Sequence, residues 1–260
     1  MLHPFFGSSR PLVFAHRGGS ALAPENTIDA FDNGLALGAD GLELDVHLSR
    51  DGAVVVHHDR TLDRTTTLRG PIADRTADEL TRAGVPLLAE VLARYRAQRI
   101  IIEMKVNRPE LADATVEVIR QADAVERVCL GSFGLRVLRA VRALEPAIAT
   151  SAAREEVRWA LYRSWCRWPV SRAAYAGYQV PEINGWTRVV SARFVALAHD
   201  AGLGVQVWTV DSEDDARRLL SWGVDALITD RPDRIVPLVL SSRPLCRSTS
   251  SNARSPARDS

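Results

Sequence analysis

The chain holds three cysteines, Cys129, Cys166 and Cys246, odd in number, widely spaced and without a C-x-x-C pair. This suggests neither a disulfide framework nor a thiolate zinc site, and a reducing, cytoplasmic setting is expected. No apolar run approaches the length of a bilayer span, and Met1 to Arg10 lack a basic stretch followed by a long apolar one, so membrane spanning and secretion are not expected. Neither sign of charge dominates: 33 Lys and Arg stand against 32 Asp and Glu, a formal net charge of +1. No basic excess exists to drive binding to nucleic acid. Lysine is almost missing, with Lys105 the only one amid abundant arginine. Codon bias is the simplest cause, but a lysine that survives such bias marks a place where a compact ammonium suits better than a planar guanidinium.

What remains is enough apolar material, 46% of 260 residues, to bury one large core. Apolar and β-branched runs recur along the chain at Leu12–Ala15, Gly41–Leu48, Ile100–Met104, Arg127–Ser132, Ala147–Ser151, Tyr175–Val180, Gly204–Val210 and Ala226–Thr229. Helical spacing fills the intervals, as at Ile28, Phe31 and Leu35, with Asn26 expected as N-cap and Gly38 as the stop. Alternating strands and helices in that number predict an α/β fold, a (β/α)8 barrel over residues 11–240, with a doubly wound open sheet as the alternative. Residues 241–260 are rich in Ser and Arg, lack apolar spacing and read as a disordered tail.

The chemistry concentrates at strand ends. Alternation along Gly41–Leu48 puts Glu43 and Asp45 on one face, where two carboxylates repel unless a cation lies between them. Asp51-Gly52 signals a hairpin, and a two-residue turn there would set His58 directly across from Asp45. Glu103 and Lys105 end the third run, and His16-Arg17 the first. Glu43, Asp45 and Glu103 together make an oxygen-rich set suited to one divalent cation, Mg²⁺ or Ca²⁺; singly, each could equally pair with an arginine on a barrel rim. His16 and His58 are candidate acid–base groups. Arg17 and Lys105 could bind phosphate oxygens, and Gln179 and Trp208, ending the sixth and seventh runs, face the same mouth. Residues 154–172 mix Trp and Arg, with Val157, Leu161, Trp165 and Trp168 in one stripe. That pattern fits an outer barrel helix or peripheral contact with a membrane.

Ala15-His16-Arg17-Gly18, Pro24-Glu25-Asn26-Thr27, Glu43-Leu44-Asp45-Val46, Asp51-Gly52 to His58-Asp59, Leu62-Asp63-Arg64-Thr65-Thr66, Ile102-Glu103-Met104-Lys105, Trp208-Thr209-Val210 and Thr229-Asp230-Arg231-Pro232-Asp233 occur in an order and spacing that resembles the glycerophosphodiester phosphodiesterase family from about residue 12 to 236. The resemblance implies a TIM barrel with a small insertion after the second-strand hairpin. It also implies a metal held by Glu43, Asp45 and Glu103, and acid–base roles for His16 and His58. In relatives described as lysophospholipase or sphingomyelinase D, the histidine at the His58 position is assigned to the metal. The implied reaction cleaves a glycerophosphodiester to glycerol 3-phosphate and an alcohol, through attack by the substrate's own glycerol hydroxyl. A lysophospholipase D acting on a lysophospholipid is the near alternative, and a non-catalytic barrel that binds phosphopolyols or headgroups is the alternative of another class.

Overall fold

Each of the eight apolar runs forms a strand in the computed structural model, which describes residues 2–166 and 173–241. The chain begins β1 (Leu12–His16), α1 (Ile28–Ala36), β2 (Gly41–Leu48), β3 (Val54–Val56), α2 (Ala77–Arg82) and α3 (Leu88–Arg94). It continues β4 (Arg99–Met104), α4 (Pro109–Gln121), β5 (Val128–Gly131), α5 (Leu135–Leu144), β6 (Ala149–Thr150) and α6 (Arg154–Cys166). Then follow β7 (Gly177–Pro181), β8 (Ile183–Asn184), β9 (Thr187–Arg188), α7 (Ala192–Asp200), β10 (Gly204–Trp208), α8 (Glu213–Ser221), β11 (Ala226–Thr229) and α9 (Pro232–Ser241).

Parallel pairing runs in the order β6-β5-β4-β2-β1-β11-β10-β7. A parallel bridge from Ser151 to Gly177 brings the two end strands together, so the sheet closes as a TIM barrel rather than remaining open. Val, Ile and Leu side chains on the outer strand faces pack under the helices in two large clusters. The interior of the barrel is filled separately by Phe14, Ile101, Cys129, Ile228 and, from upstream of residue 11, Phe5 and Phe6. Phe6 is held close by glycines: a Cβ at Gly204 or Gly177 would lie 2.3 or 2.6 Å from its ring. Phe5 and Phe6 thus seal the barrel floor. Phe6→Ala is expected to cost about 3–5 kcal/mol of stability, the range for deleting a buried aromatic ring, read from urea unfolding.

Two local expectations are corrected. The β2–β3 hairpin pairs Val46 with Val56 and Leu48 with Val54, one residue out of the expected register. Its loop has three residues, with Gly52 at φ +82° as the left-handed position that follows a tight turn, so His57 rather than His58 lies opposite Asp45. At the start of α1 the N-cap is Thr27, whose hydroxyl accepts from Ala30 N, while the Asn26 side chain is used elsewhere. Gly38 follows the helix as expected, with Ala39 N donating to Gly34 O.

The insertion after β3 carries its own small core of Leu62, Ile72, Leu80 and Val85 on Val55. On α6 the expected stripe holds at Val157 and Leu161, which pack against the core, but not at Trp165. Ala160 and Ser164 face the core, while Trp165 and Trp159 are 60% and 66% exposed. Small residues let α6 sit close to Phe194 and Ala198 of α7, which leaves no room for the indoles underneath. Arg167, Trp168 and Arg172 lie outside the described residues, as does the expected tail from residue 242 onward. Among the described residues no helix is long and apolar enough to cross a membrane.

Candidate active site

A cavity of about 510 Å³ opens at the carboxyl ends of the barrel strands, and all nine residues expected at a site line it: His16, Arg17, Glu43, Asp45, His58, Glu103, Lys105, Gln179 and Trp208. Register explains the convergence. Neighbouring parallel strands set His16 beside Glu43 and Asp45 beside Glu103, so polar groups from β1, β2 and β4 occupy two successive levels at the mouth.

His16 stands where β1 breaks into a loop whose Arg17, Gly18 and Gly19 all have positive φ. Gly18 has no space for a side chain, since a Cβ would come within 2.7 Å of Ala30. The loop turns the Arg17 amide onto Glu43 Oε2 at 3.1 Å. It also brings the Arg17 guanidinium 3.3 Å from Asp45 Oδ2, although its buried Nε finds no hydrogen-bond acceptor among the described residues. A left-handed arginine is costly, and such strain is found where function requires it.

The two imidazoles are built alike. His16 Nδ1 donates to Asp230 Oδ1 at 2.7 Å, leaving Nε2 toward Glu43 at 3.7 Å. His58 Nδ1 donates to Asp59 Oδ1 at 2.6 Å. Each carboxylate is itself held, Asp230 by the Ser20 hydroxyl at 2.5 Å and Asp59 by Arg64 at 2.7 Å. Arg64 continues to Glu25, which also accepts from Arg17. Their surroundings differ. Burial opposes charge on His16, but Glu43 and Asp230 outweigh it, and its pKa rises above the ordinary value. At His58 burial prevails over Asp45 and Asp59, and the pKa falls.

Asp45 and Glu43 are 2% and 6% exposed. Burial, reinforced by Asp45, pushes Glu43 up to about 7. Burial pushes Glu103 up to about 8, against the pull of Lys105 and with the push of Asp45 and Glu43. Gly131 leaves room for the Glu103 carboxylate and the Gln179 amide oxygen, since a Cβ there would meet them at 2.5 and 2.8 Å. Asp45 is held by Lys105 Nζ at 3.2 Å and by the Asn26 amide at 3.0 Å. Among the described residues no three acidic, histidine or cysteine groups are already drawn together as a metal site. The donor set nevertheless fits a hard cation: buried oxygens only, carrying more negative charge than their neighbours balance.

Sequence reasoning read no role for Asp59 or Asp230, and read Asn26 as a helix cap rather than as the partner of Asp45. Asp59 is signalled only by adjacency to His58. Asp230 lies 214 residues from His16, and the parallel pairing of β1 with β11 brings them together. Asp230→Asn should lower kcat by about 10²-fold, within the range of general acid–base contributions, while leaving KM within a few-fold. A loss confined to KM would assign Asp230 to binding instead.

A closed (β/α)8 barrel with a polar, histidine-bearing mouth at the strand carboxyl ends has the architecture of a barrel enzyme. The sequence model of the Glycerophosphoryl diester phosphodiesterase family matches residues 16–234, and the chain belongs to that family. It is similar to a glycerophosphodiester phosphodiesterase of Caldanaerobacter subterraneus subsp. tengcongensis, 31% identical over 248 residues, covering 88% of this chain and 98% of the relative. A glycerophosphodiester phosphodiesterase of Bacillus altitudinis is 33% identical over 247 residues, covering 87% and 97%. Among solved structures, a phosphodiesterase from Oleispira antarctica in complex with the product sn-glycerol-3-phosphate superposes with a TM-score of 0.72 at 29% identity, covering 89% of this chain and 98% of that one.

Proposed function

We propose that this protein hydrolyses glycerophosphodiesters to glycerol 3-phosphate and an alcohol, with His58 and His16 as the acid–base pair and one divalent cation held by Glu43, Asp45 and Glu103. The observation that carries this reading is a pair of imidazoles, each backed at Nδ1 by its own carboxylate, over buried acids in a single cavity. The family and its product-bound relative supply the substrate class.

We give His58 the base role and His16 the acid role because burial disfavours charge on His58, whereas Glu43 and Asp230 favour it on His16. Neutral His58 takes the proton from the glycerol hydroxyl, whose oxygen attacks phosphorus, while protonated His16 gives a proton to the departing alcohol. In the second half the roles reverse: His16 takes a proton from water, which opens the cyclic phosphate, and His58 returns its proton to the glycerol oxygen. Arg17 and Lys105 hold the phosphate oxygens and offset charge that builds as the bond breaks. Gln179 and Trp208 border the glycerol. The cation, when bound, polarises the phosphate as a Lewis acid.

Incubation of the purified protein with glycerophosphodiesters and either Mg²⁺ or Ca²⁺ should release glycerol 3-phosphate, and a chelator should stop it. If no alcohol is released with any cation, the barrel binds without cleaving. A lysophospholipase D needs an apolar wall for an acyl chain; Val157 and Leu161 offer one, but Arg154 and Arg158 interrupt it. Turnover of glycerophosphocholine against lysophosphatidylcholine tests that reading, and an inert lipid removes it.

A further inference from the structure

The cavity is polarised. Strand order sets β6 and β7 across the barrel from β1 and β2. The acids that line the cavity, Glu43, Asp45 and Glu103, all belong to β2 and β4, on the catalytic side. The far wall is built by α6 and the segment after β7. On α6 the lining residues Arg154, Val157, Arg158 and Leu161 follow i, i+3, i+4, i+7, so one helix face looks into the cavity. Opposite them, Pro181, Asn184, Thr187 and Val189 bring no charge.

Among the described residues Arg154 and Arg158 form no ion pair, although acids stand on adjoining segments. Glu156 is taken by both nitrogens of Arg142, at 2.8 and 3.0 Å, and Glu182 by Arg218 and Arg188. Arg154 is also fixed in place, its guanidinium 5.1 Å from the centre of the Phe133 ring, which meets Trp208 edge-on at 6.1 Å. An aromatic face is what a quaternary ammonium would seek in such a wall, and here a guanidinium already covers it.

We propose that Arg154 and Arg158 select the alcohol half of the substrate, favouring diesters whose leaving alcohol carries an anionic group and disfavouring quaternary ammonium alcohols. The inference rests on the phosphodiesterase reading only for which half of the ligand meets α6. The reacting phosphate lies with Arg17 and Lys105 on the β1 and β4 side, glycerol is small enough for the enclosed floor beside Gln179, and the larger, variable alcohol extends toward the arginines.

Two substrates of opposite alcohol charge provide the test: glycerophosphocholine, and the diester in which two glycerophosphates are joined through a central glycerol, whose leaving alcohol keeps one phosphodiester charge. The kcat/KM ratio of anionic to cationic substrate is expected to be at least about tenfold, which is about 1.4 kcal/mol. It should shrink in high salt, and fall below one in the double variant R154E/R158E with the double variant R154Q/R158Q between. A ratio is independent of how much of each variant is folded. A wild-type ratio near one, or a ratio the variants do not change, overturns the proposal. Calorimetric titration of chelator-treated protein, in which hydrolysis is stopped, with glycerophosphoglycerol and with choline reads the same wall without turnover. If no diester is hydrolysed but glycerophosphoglycerol binds more tightly, dependent on the two arginines, the phosphodiesterase reading falls and charge selection stands. Hydrolysis without charge preference has the reverse meaning.

Discussion

His58→Ala and His16→Ala are each expected to lower kcat for a glycerophosphodiester by about 10²–10⁴-fold, the range spanned by loss of a positioned acid or base. Their pH profiles should differ, and the difference is the sharper test. His58, with its pKa lowered by burial, must be neutral to take the first proton, so it sets the acid limb below pH 6.5, its ordinary value. His16, raised by Glu43 and Asp230 despite burial, must be protonated to give one, so it sets the alkaline limb above 6.5. Wild-type activity should therefore plateau around neutrality. Residual activity in His58→Ala should lose the acid limb and in His16→Ala the alkaline one. Either variant turning over within tenfold of wild type would remove that histidine from the chemistry.

Adding a divalent cation to chelator-treated protein at pH 8 should raise Tm by about 5–10 °C. Saturation at a hundred times Kd contributes about 2.7 kcal/mol, and a chain of this size gains about 2–4 °C per kcal/mol. The sign follows from the carboxyls. Glu103 has a pKa of about 8 in the folded protein against an ordinary 4.5, and Glu43 about 7. Between the ordinary and folded values the folded state holds protons that the unfolded chain releases, so stability of the metal-free protein falls as pH rises through that interval. His16, raised as well, acts in the same direction. His58, lowered, opposes it only below pH 6.5. The window to measure is thus pH 6.5 to 8, where cation-free Tm should decline and the cation-induced shift should grow. Glu103→Gln should flatten both trends. A Tm indifferent to Mg²⁺ and Ca²⁺ at pH 8 would rule out Glu43, Asp45 and Glu103 as a cation site.

The route to His58 shows how sequence reading can reach the right neighbourhood through a wrong step. The hairpin was legible from Asp51-Gly52, but a two-residue and a three-residue loop share that signal, and they differ by one register position. His57 took the place opposite Asp45. His58 lines the cavity because it lies just beyond the end of β3, free of the ladder and tethered by Asp59. On α6 the same ambiguity had another cause. Trp carries more apolar surface than Ala and Ser, so periodicity alone extended the buried face from Val157 and Leu161 to Trp165, which is exposed. Close approach of α7 selected the small ones.

Period-two alternation, β-branched runs and helix stops are local properties, and from them the sequence by itself determined eight barrel strands, the helices between them and the chemical types waiting at the strand ends. Closure is not local. Only the tertiary structure decided that Asp230 would back His16, that Phe6 would seal the floor under Gly177 and Gly204, and that α6 would face the catalytic side with Arg154 and Arg158. The physical reason is that a repeat along the chain specifies which face of an element is buried, whereas the partner on that face is set by strand order and stagger when the first and last strands meet.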